Sequence, residues 1–474
     1  MSIGCWDFNR KEILDNLIIF FKHNQALESL EVISGRDESD DDDSDDDYKI
    51  KYDGLMRHYP IYSALLSCHS LKEFKLDNDP DTFFYADDDV IKALTGHTCL
   101  RKLSLSGVII EMKGCTELAN LRQNPMSNLT TLHLHNCNID SKGMIFFAGR
   151  LSSYSTLKKL TILSTRGKYG WQPILFTALQ KSNLKLYGLD FSGNNISDNA
   201  MVPLSKALQY HSATIKNLSL SDISGINTTA GWRTIIQLLR DPDSALETLD
   251  LSDNIITNGE LIALESALVN NSRLRELYLQ SSGSVTPKGW KTLSRVLRNP
   301  NSSLEVLDLG NNRISGRVLL SFAEALVTNR RLRELKVDLI YKRIHNFTSD
   351  GLDAFTRILC DNLSIPNTYY SNHTLERIWS DDSKRIIGSE YLKSLLRLNN
   401  EMRKFQVARL KIIMEHFSGD DINMQLFADM KLSVRPQAIA WMAQDNHLYK
   451  FLRTSPLLLE IQRSSQNLRK RSCQ

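Results

Sequence analysis

A single hydrophobic pattern, Leu-x-x-Leu-x-Leu, recurs along most of this 474-residue chain. Ten copies begin between Leu71 and Leu332, and successive copies start 28 to 31 residues apart. Outlying copies begin at Leu27 and Leu375. A period this regular predicts a stack of similar units, because no single unit of this size buries its apolar face alone.

Residues 246–273 show what one unit is expected to fold into. Leu249 and Leu251 alternate with Asp250, which predicts a short strand with the leucines on its buried side. Asn254 follows at the turn, where its amide can bond backbone groups of a neighbouring unit. Apolar residues at helical spacing come next: Leu261, Leu264, Ala267 and Leu268. We therefore expect parallel strands side by side, with the helices packed behind them.

The 29-residue spacing resembles that of leucine-rich-repeat proteins of the ribonuclease-inhibitor-like class, over about residues 60–382. The resemblance implies an α/β solenoid of about 11 coils, a curved horseshoe with strands on the concave face and helices on the convex face. The family's Asn or Cys at the ninth place of the repeat is present in four coils: Cys137, Asn194, Asn254 and Asn312. Other coils carry Val108, Thr165, Ile223 and Ser282 there. An incomplete internal polar ladder is therefore expected.

The N-terminal region, residues 1–59, is interpreted as a cap or first coil that carries an acidic insert at about residues 36–48. Nine of the eleven residues from Asp37 to Asp47 are acidic, which predicts a disordered loop. The loop has two interpretations. It is either a solvated segment without a specific role or a segment that attracts a basic partner electrostatically. Ser39 and Ser44, each followed by acidic residues, are candidate phosphorylation sites.

The 29-residue period ends near residue 382, and helical spacing follows. Residues 383–463 are interpreted as a helical cap over the open end of the solenoid, with an independent binding domain as the alternative. Residues 464–474 read as a basic disordered tail. The segments Ser371–Leu375, Val407–Arg409 and Ala438–Trp441 resemble those of uncharacterised leucine-rich-repeat proteins of unicellular algae. That resemblance implies a family and no activity.

The charge balance limits the classes of partner. Lys and Arg total 58 against 55 Asp and Glu, a net charge of +3, whereas a chain that coats nucleic acid carries a large basic excess. No apolar run approaches the roughly 20 residues that span a bilayer, so no membrane association is expected. Seven scattered cysteines do not form a disulfide framework. These features predict a cytoplasmic protein, with the nucleus as the second compartment.

Two segments resemble metal-binding motifs, but each departs from its motif at one position. Asp77-x-Asp79-x-Asp81 resembles the start of a calcium loop, but Thr82 stands where the sharp turn needs glycine. His133-x-His135-x-Cys137 offers zinc-ligand types, but Cys137 falls on the buried ninth place. No phosphate-binding loop, dinucleotide turn or nucleophile elbow occurs. We predict no catalytic residues, no cofactor and no metal.

The exposed places three and five of the repeats carry the strongest candidate site. An acidic stripe with aromatic residues is predicted there: Asp190, Asp250, Glu276, Tyr278, Asp308, Glu334 and Trp379. Aromatic anchors among charges are typical of protein interfaces. The predicted partner is a protein or peptide with a basic, partly apolar surface. The alternative is a solvated sheet face that binds nothing.

These observations favour a non-enzymatic protein-interaction scaffold. Ran GTPase-activating proteins use the same repeat class and also carry an acidic run, so regulation of a small GTPase is the alternative. None of their catalytic residues can be matched here. An immune-receptor recognition half and nucleic-acid binding through Arg469–Arg471 are further, weaker readings.

Overall fold

The computed structural model describes residues 99–416 except for 121–127, 152–155, 166–170, 224–225, 227, 313, 338–348, 381–384 and 387. It also describes residues 2–4, 19–20, 23, 27–33, 70–77, 84–85, 91, 94 and 97. The acidic insert, Ser39, Ser44 and everything after His416 lie outside the described residues. The chain divides into two compact units, Met1–Ile255 and Ile256–Gln474.

The first unit is built on parallel strands that pair in chain order. They are β1 (Ser2–Gly4), β2 (Ser29–Ile33), β3 (Glu73–Asp77), β5 (Lys102–Ser106), β7 (Thr131–His135), β9 (Lys159–Leu163), β10 (Gly188–Asp190), β11 (Asn217–Ser219) and β12 (Thr248–Asp250). A second, smaller parallel sheet consists of β4 (Phe84–Tyr85), β6 (Val108–Ile110) and β8 (Asn138–Ile139).

Helices alternate with the strands of this unit, as the repeat predicts. They are α1 (Met112–Asn120), α2 (Ser141–Arg150), α3 (Gln172–Lys181), α4 (Asp198–Tyr210) and α5 (Thr229–Arg240). Each helix packs against the next one along the chain from α1 to α4, and α4 packs against α5. Because strand follows helix at a constant period, sheet and helices form two stacked layers with the apolar residues between them.

The second unit repeats this arrangement. Its strands are β13 (Glu276–Tyr278), β14 (Val306–Leu309), β15 (Glu334–Val337), β16 (Arg377–Ser380) and β17 (Arg385–Ile386). Its helices are α6 (Asn258–Leu268), α7 (Pro287–Trp290), α8 (Leu293–Arg298), α9 (Gly316–Leu326), α10 (Ser349–Leu359), α11 (Ile365–Tyr369), α12 (Glu390–Glu401) and α13 (Lys404–His416). Strands β13 to β16 are parallel, whereas β17 pairs with β16 in the antiparallel direction.

The register of the strands follows the repeat. Leu103, Leu132 and Leu160, all at the fourth place, are direct partners across β5, β7 and β9, and all are buried. The sixth-place residues Leu105 and Leu134 align in the same way. The odd places between them point to the other side of the sheet because side chains alternate along a strand. The predicted α/β solenoid architecture is confirmed.

One residue with positive φ follows most strands and turns the chain toward its helix. Gly107 and Gly193 take this conformation at φ of 66° and 69°, and Asn136, Asp222 and Asn311 take it at 47°, 52° and 53°. Gly, Asn and Asp tolerate the left-handed region best. At Gly193 the space is also limited, since an added Cβ would lie 2.3 Å from Ser164 Oγ.

Three asparagines of the internal polar ladder each bond to the preceding coil, whose own ninth place lacks asparagine. Asn194 Oδ1 accepts a hydrogen bond from the backbone N–H of Thr165 in the preceding coil at 3.0 Å. Asn254 Oδ1 does the same for Ile223 at 2.9 Å. In the second unit Asn312 Oδ1 accepts from the backbone N–H of Ser282 at 2.8 Å. One asparagine therefore serves two coils, so that every second coil can lack it.

The C-terminal part of the second unit departs from the repeat. The surplus residues between Leu332 and Leu375 include the short helix α11. Helices α12 and α13 form where helical spacing predicts them; α12 packs against α10 and β16, and α13 packs against α11. The described helices of the proposed cap thus contact β16, α10 and α11.

Candidate functional site

In the first unit, Asp190 and Asp250 lie at fifth places on the exposed side of the sheet. Both are partly exposed, and each carboxylate is bound locally. Asp190 Oδ1 accepts from the backbone N–H and the hydroxyl of Ser192, at 3.1 and 2.7 Å. Asp250 Oδ1 accepts from the backbone N–H of Ser252 at 2.9 Å. These bonds hold both carboxylates in fixed positions at the ends of their strands.

Hydroxyl groups connect these two aspartates across the sheet. Ser192 Oγ and Ser219 Oγ are 2.7 Å apart, and Ser219 donates to Asp250 Oδ2 at 3.3 Å. The exposed side of β10 to β12 therefore presents a connected polar row in which the two carboxylates keep free lone pairs for an external donor.

In the second unit, two rows of side chains cross strands β13 to β16. The third-place row contains Glu276, Val306, Glu334 and Arg377, and the fifth-place row contains Tyr278, Asp308, Lys336 and Trp379. Each residue is the direct partner of its neighbour in the row. The five predicted residues of this unit are thus brought onto one sheet face, in adjacent positions.

The structure places Asp308 beneath this face, with only 4% of its surface exposed. Its carboxylate pairs with Lys336 Nζ at 3.0 Å and accepts from the backbone N–H of Gly310 at 2.8 Å. Burial raises the pKa of Asp308, and the bonds to Gly310 and Lys336 act in the opposite direction. The expectation that its carboxylate faces a partner is therefore corrected, because the charge is neutralised inside the protein.

Lys336 links Asp308 to the aromatic end of the row. It is 5% exposed, and its ammonium lies 5.0 Å from the centroid of the Trp379 ring. A cation at this distance from an indole face is attracted to it. Asp308, Lys336 and Trp379 form one stack that fixes the orientation of the partly exposed Trp379 ring.

Arg377 changes the expected charge of the third-place row. Its guanidinium pairs with Glu334 at 2.9 Å. Glu276 Oε2 accepts from the Tyr278 hydroxyl at 3.1 Å. The sequence pattern did not include Lys336 and Arg377 in the stripe, although each stands one repeat after an acidic residue of the same row. The face is consequently an array of mixed charge with two aromatic rings rather than a uniformly acidic one.

Comparisons with known proteins support the repeat assignment. Leucine-rich-repeat family profiles match residues 126–148 and 303–325. Ribonuclease inhibitor of Mus musculus is 25% identical over 321 residues, which cover 68% of this chain and 66% of the relative. Ribonuclease inhibitor of Sus scrofa is 27% identical over 253 residues, 52% of this chain and 54% of the relative. The chain carries leucine-rich repeats and is similar to proteins of the ribonuclease-inhibitor-like class.

This leucine-rich-repeat protein spans about a half to two thirds of the length of those two relatives. Among solved structures, the yeast Rad7–Elc1 complex aligns with a TM-score of 0.45 at 18% identity, over 71% of this chain and 77% of that one. The resemblance of the C-terminal tail to algal proteins stays a prediction.

The metal-like segments of this leucine-rich-repeat protein have other partners. Asp77 pairs with Lys75 at 2.9 Å, and Asp79 and Asp81 lie outside the described residues. Cys137 is buried, and its thiol donates to the backbone carbonyl of Leu105 at 3.4 Å. Across the described part of the chain, no group of three or more His, Cys, Asp or Glu side chains is placed to hold a metal ion.

A second polar cluster joins the last repeat to the cap helices. Lys411 on α13 is fully buried, and its ammonium donates to the Leu359 carbonyl at 2.7 Å and to Asn399 Oδ1 at 2.9 Å. His373 Nδ1 lies 3.3 Å from the same ammonium. Asn372 Nδ2 donates to the backbone carbonyl of Leu326 at 2.8 Å. The Ser371–Leu375 segment therefore anchors α12 and α13 to the repeat, which its sequence alone did not indicate.

The buried Lys411 is expected to make stability depend on pH. Burial lowers the pKa of Lys411 from its ordinary 10.5 to about 7, so above pH 7 the unfolded chain holds more protons than the folded one. The free energy of unfolding should therefore rise with pH relative to a Lys411→Met variant, by up to about 1.4 kcal/mol per pH unit. Denaturant titrations of both proteins between pH 7 and pH 9 measure this difference.

Two titratable neighbours of Lys411, His373 and Cys360, have folded-state pKa values outside that interval. Burial lowers the pKa of His373 to about 3 and raises that of Cys360 to about 11. Lys206→Met, at an exposed position, is the control and should show no such pH-dependent difference. A constant difference between wild type and Lys411→Met across the interval would contradict the prediction.

Proposed function

We propose that this chain is a non-enzymatic scaffold that binds a partner protein or peptide on the exposed side of its parallel sheet. The observation that carries the proposal is the pair of rows across β13 to β16, where charged and aromatic side chains occupy adjacent positions above a leucine core. Repeat proteins of this kind offer extended sheet surfaces to partners. Two relatives are named as inhibitors of a ribonuclease, that is, as proteins that act on another protein.

The proposed contact set is Glu276, Tyr278, Glu334 and Trp379 in the second unit, with Asp190 and Asp250 as a separate contact set in the first. Asp308 acts indirectly, by holding Lys336 under Trp379. The two rings supply apolar anchors, and the carboxylates supply acceptors for Lys or Arg of the partner. We therefore propose that the partner has a basic, partly apolar surface.

The proposed compartment is the cytoplasm or the nucleus. Cys137 and Cys360 are buried free thiols, and unpaired cysteines are typical of reducing compartments. None of the described helices is long and apolar enough to cross a membrane.

The binding face is tested by a double substitution, Glu276→Lys with Tyr278→Ala. Both side chains are partly exposed, so their replacement should leave the leucine core intact. Removal of an aromatic anchor and reversal of a charge should weaken partner binding by at least about tenfold. Affinity purification from native cells identifies proteins that wild type retains and the variant loses, and titration with each purified protein then gives the dissociation constants.

The matched control is Glu324→Lys, which makes the same charge change on the exposed side of α9. It should bind the purified partner within about twofold of wild type. The proposal fails if the sheet-face variant, shown to be folded by circular dichroism, binds every partner as tightly as the control. Regulation of a small GTPase stays the alternative, and acceleration of GTP hydrolysis by the purified chain would favour it.

A further inference from the structure

A row of basic side chains crosses the first unit at the beginning of its strands. Backbone hydrogen bonds of 2.8 Å connect the second-place residues of successive coils, in the order Arg101, Thr130, Lys158, Tyr187 and Lys216. The third places come next along each strand. They are occupied by Lys102 on β5, Thr131 on β7 and Lys159 on β9, which align across the sheet. We name the five basic residues together with Tyr187 the basic strip.

Three residues of the basic strip are not neutralised. Arg101, Lys158 and Lys159 are exposed, and none of them forms an ion pair with an acid among the described residues. The ends differ, since Lys102 pairs with Glu73 at 2.6 Å and Lys216 pairs with Glu247 at 2.7 Å. The carboxylates therefore limit the positive surface to the coils between β5 and β11.

Gly188 gives Lys159 its position. A Cβ added at Gly188 would lie 3.2 Å from Lys159 Cγ, which shows that the lysine stem lies against the glycine of the next strand. The stem thus follows the strip from β9 toward β10. Tyr187, which lies between Lys158 and Lys216 in the row, is 39% exposed.

The dimensions of the basic strip fit a short extended chain. Neighbouring strands are about 4.8 Å apart, so the four steps from Arg101 to Lys216 cover about 19 Å. An extended peptide of about six residues has the same length. Carboxylates on such a peptide would lie within reach of Arg101, Lys158 and Lys159, and an apolar residue of the peptide would contact Tyr187.

We propose that the basic strip binds an acidic, extended peptide segment of a partner protein. Charge complementarity favours this occupant, because Arg101, Lys158 and Lys159 have no acidic partner among the described residues, whereas Glu73 and Glu247 neutralise Lys102 and Lys216. A long polyanion such as nucleic acid would meet Glu73 and Glu247 as soon as it extended beyond the strip. This surface is distinct from the face in the second unit and requires a partner segment of the opposite charge.

The probe for this site is fluorescein-labelled hexaglutamate, and binding is followed by fluorescence anisotropy with the full chain at low salt. We expect saturable binding to wild type that weakens as salt rises, since the contacts are between exposed charges. Lys158→Glu with Lys159→Glu should weaken binding by at least about tenfold. Lys142→Glu with Lys206→Glu, an equal charge change at exposed helix positions, should alter it by less than about threefold.

Four results would overturn the proposal. The first is the absence of saturable binding to wild type, and the second is equal weakening of binding by both double variants. The third is tighter binding of single-stranded hexathymidylate DNA than of the peptide. The fourth is peptide binding that occurs only after deletion of residues 37–47. The third result would identify a nucleic acid as the occupant, and the fourth would identify the chain's own acidic segment. Circular dichroism of each variant separates loss of binding from loss of fold.

Discussion

Replacement of Asn254 by alanine is expected to lower the free energy of unfolding by about 3–4 kcal/mol. Asn254 is 2% exposed, and its amide donates to the carbonyls of Leu220 and Leu251 at 2.8 and 2.9 Å. Its oxygen accepts from the backbone N–H of Ile223 in the preceding coil at 2.9 Å. Alanine would leave these buried backbone groups without partners in two coils at once, and each such group costs about 1–3 kcal/mol.

Urea denaturation followed by circular dichroism measures this effect. Asn217→Ala is the matched control, because Asn217 is exposed at a third place in the same unit, and it should cost less than about 0.5 kcal/mol. If the unfolding free energy of Asn254→Ala lies within about 1 kcal/mol of that of wild type, the hydrogen bonds of Asn254 do not stabilise the contact between its two coils as expected.

Replacement of Lys336 by methionine is expected to cost about 3–5 kcal/mol of unfolding free energy. The substitution keeps an unbranched side chain of similar size but leaves the carboxylate of Asp308 buried without its cation. It also removes the ammonium from the Trp379 ring. Combination with Asp308→Asn should restore most of the loss, because no unpaired charge then stays buried.

The same variant should respond to pH in a defined direction. Burial already raises the pKa of Asp308, and loss of Lys336 removes a group that lowers it. The folded Lys336→Met protein then binds the Asp308 proton more tightly than the unfolded chain, so its stability should rise as pH falls from 7 toward 5. Thermal unfolding at both pH values measures this change relative to Asp308→Asn with Lys336→Met, which should not show it. Equal pH dependence of the two proteins would contradict an ionised, paired Asp308.

The buried pair also bears on binding, because it lies within the face proposed to contact a partner. Lys336 holds the Trp379 ring from below, so the aromatic anchor is oriented before a partner arrives. Anchors that are already ordered lose less entropy on binding. We therefore expect the Asp308–Lys336 double variant to fold and yet to bind the partner of the second unit more weakly than wild type.

The repeat pattern was sufficient to predict the elements of each coil. Leu249 and Leu251 are buried beside β12, and Leu261, Leu264, Ala267 and Leu268 are buried on α6, as the alternation and helical spacing indicated. The helices α12 and α13 were predicted for the same reason. These features depend on interactions between residues close in sequence, which local periodicity records.

The candidate site was predicted only in part. Placement of Glu276, Tyr278, Glu334 and Trp379 on one face follows from the repeat, because equal places align across parallel strands. The burial of Asp308 does not follow from it. That burial depends on Lys336 and Gln280 of the neighbouring coils, whose side chains meet the carboxylate at 3.0 and 2.6 Å.

The sequence by itself determined the period, the strand and helix of each coil, and the alternation of buried and exposed places, because these depend on spacing along the chain. Only the tertiary structure decided which charges are free. In the folded protein, Asp308 is paired with Lys336, and Lys411 is buried under the last repeat. Three other cations have no acidic partner among the described residues: Arg101, Lys158 and Lys159. The physical reason is that a charge is paired or exposed according to side chains about 29 residues or more away, which only stacking of the coils brings into contact.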